Sequence, residues 1–493
     1  MASRAARVAA VVGLLASGWA LARRAGRRSS ASTSTAAPSG VSGLTAPTRL
    51  GRLAAVSATS AALATVDRAR LTGRDAQRDP SIGDRPVSRT YEDVAAALAD
   101  MKGGLMKVGQ MASFMDPALP EPFRAALRRL QQDAPGMAPE LARGVVEREL
   151  GAPPDELFAW WDPEPFAAAS IGQVHRALTQ EGRAVAVKVQ YPGIAEAIEA
   201  DLGAAGLLFS TMRGLFPGLD TGTLLDEVRG HMAEELDYRK EADNQELFAT
   251  AYLDHPHIHV PRVDRSLSSR RVLTSELVEG TRFTDASAWS REERDLAAET
   301  IYRFVFASIY RLHAFNGDPH PGNYLLHGGG RVTFLDFGVT KRFAPEEIDQ
   351  FSRMTRAMVW DRDLGAFRAV IEEAGFLPPG LPVDDEAIGD FFGHFYDFLG
   401  QDRELTITPA FASETLRRYF DAQGTHRQIL RAADIPRSMI VVQRINLGLH
   451  AVLSELEATA NWRRIGESLW PWSGRSPETA LGRADQAWLA ERA

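Results

Sequence analysis

Asp318 and Asn323 stand five positions apart in Asn316-Gly-Asp318-Pro-His320-Pro-Gly-Asn323, and Asp336 follows eighteen positions after Asp318 in Phe334-Leu-Asp336-Phe-Gly338. Two carboxylates and an amide at this spacing suit phosphoryl transfer from a nucleotide. One carboxylate lies near the attacking oxygen, while the amide oxygen and the second carboxylate take a magnesium ion. Asp-x-x-x-x-Asn followed by Asp-Phe-Gly supplies all three in the required order. Asp-Phe-Gly alone carries little weight, because an exposed turn uses the same residues. Its pairing with Asp318 and Asn323 makes it a candidate site for ATP and Mg2+.

Such a site needs a phosphate-binding lysine on a strand and a loop over the phosphates. Phe166-Ala-Ala-Ala-Ser170-Ile-Gly172-Gln-Val-His175 occupies the place of a glycine-rich loop but is alanine-rich, offering Ala167, Ala168, Ala169, Ser170 and Gly172. After a turn at Glu181-Gly182, Arg183-Ala-Val-Ala-Val-Lys188-Val alternates with period two. Val185, Val187 and Val189 share one face; Ala184, Ala186 and Lys188 share the other. A small Ala186 leaves room for an adenine ring, and Lys188 on the same face can reach the α/β-phosphates. A strand lysine snorkelling to solvent is the plain alternative, and Asp336 downstream favours the phosphate role.

A catalytic lysine needs a helix carboxylate to hold it. Leu224–Tyr252 is rich in helix formers and contains Glu234-Glu235-Leu-Asp237-Tyr-Arg-Lys-Glu241-Ala-Asp-Asn244. Glu235 is the candidate partner of Lys188, with Glu241 its rival. The 47-residue separation of Lys188 from Glu235 makes residues 191–222 an insertion, read as helical from Ile194 to Met212. Val272-Leu-Thr-Ser-Glu276-Leu-Val-Glu-Gly280 reads as a strand ending at an inter-lobe hinge, where backbone groups around Glu276 would hold adenine.

His255-Pro-His257-Ile-His259 reads as a turn entering a strand rather than a metal site. Ser290 and Glu293 form a capping box, and Ile301, Phe304, Val305, Ser308 and Leu312 give the following helix a core-facing stripe. His327-Gly-Gly-Gly-Arg331 is the turn of a hairpin leading to Asp336. Only Val339–Phe343 separate Asp-Phe-Gly from the helix start at Ala344-Pro-Glu-Glu. A peptide substrate would need a long activation segment there, so a protein acceptor is not expected.

With 493 residues, 45% hydrophobic and 24% charged, the chain can bury a sizeable core. It has no cysteine, which excludes disulfides and thiolate metal sites. A net charge of −8 argues against non-specific nucleic-acid binding, so no nucleic-acid partner is expected. The first 66 residues nevertheless carry eight Arg, no Lys and no acid, a targeting or membrane-surface signature. Residues Val8–Ala22 are uncharged and mostly apolar, but as a helix they span about 22 Å against a hydrocarbon core of about 30 Å. Three readings stand: a short signal-anchor, a cleaved targeting peptide, or a helix lying in the interface. The heavier arginine load after this segment would keep the body of the protein in the cytoplasm, or in an organelle matrix if the leader is a transit peptide.

These motifs resemble those of the UbiB family of atypical kinases, also called AarF-domain-containing kinases. The resemblance rests on Lys107-Val-Gly109-Gln110, the alanine-rich run to His175, Val185-Ala-Val-Lys188, Glu235-Leu-Asp237, Gly317-Asp-Pro-His-Pro-Gly-Asn323 and Asp336-Phe-Gly338, in order across residues 90–460. It implies an α+β, bilobal protein-kinase-like fold with a small β-rich N-lobe, a large helical C-lobe and an N-terminal helical extension. It further implies that Lys107, Gly109 and Gln110 occlude the active site with Glu235 and Asp237 as partner motif, that Lys188 holds phosphates, that Asp318 is the catalytic carboxylate, and that Asn323 and Asp336 bind Mg2+. The implied activity is that of an ATP-dependent kinase or ATPase linked to isoprenoid quinone biosynthesis. A prenyl lipid or quinone precursor, the membrane surface and other lipid-biosynthetic proteins are the implied partners. The expected organisation is a leader over 1–72, the extension over 73–162, the N-lobe over 163–280, the C-lobe over 281–475 and a soluble tail over 476–493.

Overall fold

The computed structural model describes residues 137–169, 171–199, 230, 232–317, 319–393, 396–412, 414, 427–432 and 448–492. The leader, Lys107, Gly109, Gln110, Ser170, most of the insertion over 191–222, and Asp318 lie outside the described residues. Residues 448–455 are helical. Two compact units are present. The described parts of Met1–Pro154, Asp162–His175 and Lys188–Leu236 make the first, and Asp155–Trp161, Arg176–Val187 and Asp237–Ala493 make the second.

The first unit holds helix α1 (Pro139–Leu150), which starts at a proline and stops where Gly151 turns left-handed at φ 86°. Strand β1 (Phe158–Trp161) belongs to the second unit. Strands β2 (Ala167–Ala169), β3 (Gly172–Thr179) and β4 (Ala184–Gln190) follow. Within the first unit, β2 pairs antiparallel with the start of β3, Ala167 opposite Val174 and Ala169 opposite Gly172. Within the second, β1 pairs with the end of β3, Phe158 opposite Thr179. The Thr179 N–H donates to the Arg183 carbonyl at 2.9 Å across a turn in which Gly182 adopts φ 78°. The expected alternation of β4 is present: Val185, Val187 and Val189 are buried, while Ala186 and Lys188 are half-buried.

Helix α2 (Tyr238–Ala251) opens the main body of the second unit. The run 224–252 is not one helix. Leu236 and Asp237 leave the helical conformation, and the Asp237 carboxylate caps α2 by accepting the Arg239 N–H at 3.1 Å. Strands β5 (Ile258–His259), β6 (Val272–Glu276) and β7 (Thr281–Arg282) follow, then helix α3 (Arg291–Ala307). The Leu277 N–H donates to the Ala184 carbonyl at 3.1 Å, which seats β6 beside β4.

Helix α3 departs from its expected single stripe, because residues 297–307 are buried on every side. Glu299 and Arg303 are therefore inside and must pair; their carboxylate and guanidinium meet at 2.7 Å. A π-helical turn over Ser308–Leu312 ends the helix. It shifts the register so that Leu312 is only half-buried. The Ser290 hydroxyl caps α3 by accepting the Glu293 N–H, but the Glu293 carboxylate instead accepts the Gly329 N–H at 2.7 Å. Half of the expected capping box is thus spent on the glycine turn.

Strands β8 (Ala314–Asn316), β9 (Tyr324–Leu326), β10 (Val332–Phe334) and β11 (Thr340–Arg342) carry the site. One sheet has the order β5-β10-β9-β7; a separate ribbon pairs β8 with β11. Helices α4 (Pro345–Thr355), α5 (Leu364–Glu373), α6 (Asp385–Gly393) and α7 (Trp462–Glu467) make the remainder largely helical. Residues 476–493, expected as a soluble tail, instead hold helix α8 (Ala480–Ala490), with Leu481, Asp485 and Trp488 buried. Their i, i+4, i+7 spacing makes one buried face, which is why the segment docks.

Candidate functional site

The hairpin of β9 and β10 puts Asn323 and Asp336 at its open end. Phe334 lies opposite Tyr324, and one step further the Leu335 N–H donates to the Asn323 carbonyl at 2.8 Å. At the closed end Gly328, Gly329 and Gly330 all have positive φ, a run that only glycine adopts without strain. Upstream, His320 Nδ1 accepts the Gly322 N–H at 3.0 Å and shapes the turn Pro321–Asn323. His320 therefore orients the loop. The Gly317 N–H donates to the Val339 carbonyl at 2.7 Å, continuing the ribbon in which Asn316 faces Thr340. The residues on both sides of Asp318 are thus anchored. The segment after Asp-Phe-Gly is as short as expected: β11 leads directly into α4.

Asp336 sits at φ 59°, unusual for a residue with a Cβ. Its own carboxylate relieves the strain by accepting the Gly338 N–H at 3.1 Å, and Asn316 Nδ2 donates to its carbonyl at 2.8 Å. Phe337 is fully buried, its ring 5.0 Å from that of Phe248. Asn244 Nδ2 donates to the Phe337 carbonyl at 3.1 Å. A Cβ on Gly338 would lie 3.8 Å from the Glu241 carboxylate. Glu241, Asn244 and Phe248 stand at i, i+3 and i+7 on α2, so one face of this helix holds Asp-Phe-Gly in place. Asn244 and Asn316 had no role in the sequence reading. Their signal was adjacency, Asn244 three residues after Glu241 and Asn316 two before Asp318.

The donor set fits magnesium. Asp336 has a second carboxylate oxygen beyond the one that holds Gly338, and Asn323, whose carbonyl accepts the Leu335 N–H across the same hairpin end, carries an amide oxygen. Both are hard oxygen donors, and Mg2+ needs only one or two from protein when phosphate and water supply the rest.

In the first unit, Lys188 lies on β4 and the alanine-rich loop is the β2–β3 hairpin. Gln190 Nε2, two residues past Lys188, donates to the Leu236 carbonyl at 3.1 Å. This ties the strand to the segment carrying buried Glu235. Glu235 thus neighbours the end of β4, whereas Glu241 faces Gly338. Glu276 points elsewhere: His259 Nε2 lies 3.4 Å from its carboxylate, and this bond is the main cause holding its pKa below the usual carboxylate range. Only its backbone remains available for the expected hinge role.

The hairpin is also locked from behind by buried Gln173 and His175. The Met137 N–H can only donate, so it faces Gln173 Oε1, at 2.8 Å. Gln173 Nε2 must then donate to His175 Nε2, at 2.9 Å, which leaves His175 Nδ1–H to donate to the Asp162 carbonyl at 2.9 Å. The polarity of this relay requires a neutral imidazole. Burial lowers the His175 pKa below its ordinary 6.5, against the opposing pull of the Asp162 carbonyl and the Asp162 and Glu164 charges. The unfolded chain therefore takes up a proton near pH 6.5 that the folded chain refuses until lower pH. Stability falls as pH drops below about 6.5 and stops falling once the folded imidazole is protonated too. Urea midpoints between pH 7.5 and 5.5 check this: wild type should lose more stability than His175→Asn across that window.

Among the described residues no helix is long and apolar enough to cross a membrane. A profile of the ABC1 atypical kinase-like domain matches residues 129–369. The chain is 33% identical to "Atypical kinase COQ8B, mitochondrial" of Rattus norvegicus, over 61% of this chain and 58% of that protein. It is 30% identical to "Probable protein kinase UbiB" of Marinobacter nauticus, over 59% and 54%. The chain thus spans about half the length of the curated relatives it matches. A solved Mycobacterium tuberculosis structure, the Rv3197–erythromycin complex, aligns with a TM-score of 0.58 and 30% identity, over 80% of this chain and 99% of that one. The fold is accordingly α+β and kinase-like, as the motifs implied. The chain belongs to the ABC1 atypical kinase-like family, together with the UbiB and AarF-domain kinases.

Proposed function

We propose that the protein is a Mg-ATP-dependent atypical kinase or ATPase. It acts on, or is gated by, a membrane lipid such as a prenyl quinone precursor. The observation that carries this reading is the built state of Asp-Phe-Gly. Asp336 is held left-handed by its own carboxylate and by Asn316, and Phe337 and Gly338 are held by one face of α2. A surface turn would need none of these supports.

In this reading Asn323 and Asp336 would hold Mg2+, which when bound neutralises phosphate charge. Lys188 adds a second positive charge to the phosphates, with Glu235 as its expected carboxylate partner and Glu241 the alternative. The alanine-rich loop Ala167–Ala169, with Ser170 and Gly172, would cover the phosphates, while Ala186 and the backbone at Glu276 would take adenine. Asp318 would orient an acceptor hydroxyl or a water. Lys107, Gly109, Gln110 and Asp237 would belong to the occluding motif. The short β11 segment, paired with β8, supports a non-peptide acceptor. The quinone and membrane parts rest on the family resemblance and on the basic leader.

The test is Mg-dependent ATP hydrolysis by the full chain, with and without liposomes of anionic lipid containing a quinone-like phenol. Lipid-stimulated turnover is expected. ATP binding without turnover under every condition would instead favour a non-catalytic, ATP-switched scaffold of a lipid-biosynthetic complex. Robust phosphorylation of a soluble alcohol would favour a small-molecule kinase.

A further inference from the structure

Helix α8 docks on the parts of the second unit from which the site is built. Trp488 Nε1 donates to the Leu253 carbonyl at 3.2 Å, and Arg492 donates to the same carbonyl at 2.7 Å. The Trp488 ring stacks on Tyr252, the C-cap of α2, and meets His255 edge-on at 4.6 Å. Asp485 accepts from both terminal guanidinium nitrogens of Arg311, at 2.8 and 3.0 Å, and lies 3.2 Å from His255 Nε2. His255 Nδ1 in turn accepts the N–H groups of His257 and Ile258. The corner over 252–258 is therefore gripped from one side by α8 and its partners, while the Tyr252 hydroxyl meets Ser308 at 2.7 Å and Ile258 pairs with Val332 on the other.

Two paths lead from this docking to Asp336. The first is α2 itself, whose last turn ends at the corner and whose stripe of Glu241, Asn244 and Phe248 continues, at i+4, into Tyr252. The second is the β9–β10 hairpin. Ile258 pairs with Val332, and a Cβ on Gly330 would lie 3.1 Å from Leu481 of α8. Thr300 donates to the Gly330 carbonyl at 2.6 Å from the same side.

We propose that Trp488 and Asp485 are positioning residues: by gripping the corner over 252–258 they hold α2 and the β9–β10 hairpin in the register that brings Glu241 and Asn244 against Asp336-Phe-Gly338. The consequence for turnover rests on the proposed nucleotide role of Asp336; the mechanical coupling does not.

The experiment is amide hydrogen exchange on the full chain without nucleotide, comparing wild type, Trp488→Ala and Asp485→Asn. Asp485→Asn keeps the side-chain shape and serves if Trp488→Ala does not fold. Val452→Ala, a buried core change outside the docking surface, is the control for general destabilisation. Exchange over 238–251 and 335–338 should rise by about tenfold or more in the α8 variants and not in the control. The KM for Mg-ATP should rise in the same variants more than kcat falls. Faster exchange confined to 253–258 and 480–492, or an equal rise in the Val452→Ala control, would overturn the proposal. Because exchange is read without ATP, a protein that never turns over ATP would overturn the functional reading and leave this result readable.

Discussion

Asp336→Asn is expected to lower Mg-dependent ATP turnover by about 100-fold or more, the scale of losing one charge-stabilising group at a transition state. The substitution isolates the charge. Asparagine tolerates the left-handed backbone that Asp336 adopts at φ 59°. Its side-chain oxygen can still accept the Gly338 N–H, and the backbone carbonyl that Asn316 holds is untouched. Stability should therefore change by less than about 1 kcal/mol. Turnover and a thermal melt, measured together, check both halves. Unchanged turnover would remove Asp336 from the chemistry. A collapsed melt would mean that the carboxylate is structural first.

Gly448→Ala should have a comparably large effect by a different route. A Cβ at this position would clash with Pro319 Cγ, and a proline ring cannot swing aside as a long side chain can. Pro319 directly follows Asp318, so relief of the clash shifts the loop that carries the proposed catalytic carboxylate. A displacement of about 1 Å at a reacting group can cost about 100-fold in rate. The overpacking itself should cost about 1–3 kcal/mol of stability. The signature is a fall in kcat with the affinity for Mg-ATP retained, because the proposed metal donors, Asn323 and Asp336, are carried by the β9–β10 hairpin beyond Pro319. Loss of ATP affinity in step with kcat would contradict this account.

What could be read before the structure was local chemistry. Residue types at fixed spacing located Asn323 and Asp336, and period-two alternation put Lys188 and Ala186 on the face opposite Val185, Val187 and Val189. Five residues between Asp-Phe-Gly and a helix start predicted the short β11 connection, and three glycines predicted the hairpin turn. The hidden part concerns which distant elements meet. Helix propensity runs unbroken through 224–252, so the sequence leaves Glu241 standing as the rival of Glu235. The break at Leu236 and the Asp237 cap put them in different surroundings.

The docking of the C-terminal segment is hidden for the same reason. Its apolar positions are few, and their partners Arg311 and His255 lie 174 and 230 residues away in sequence. Burial of Glu299 and Arg303 was equally hidden, since charges in a helix ordinarily mark its solvent face.

The most direct test of the central claim is an equilibrium titration of the full chain with ATP, with Mg2+ present and then removed by chelation. Saturable binding that requires Mg2+, and that weakens by about tenfold or more in Asp336→Asn, is the predicted result. ATP binding that is indifferent to Mg2+ and to Asp336→Asn, or no binding at all, would contradict the assignment of Asn323 and Asp336 as metal donors.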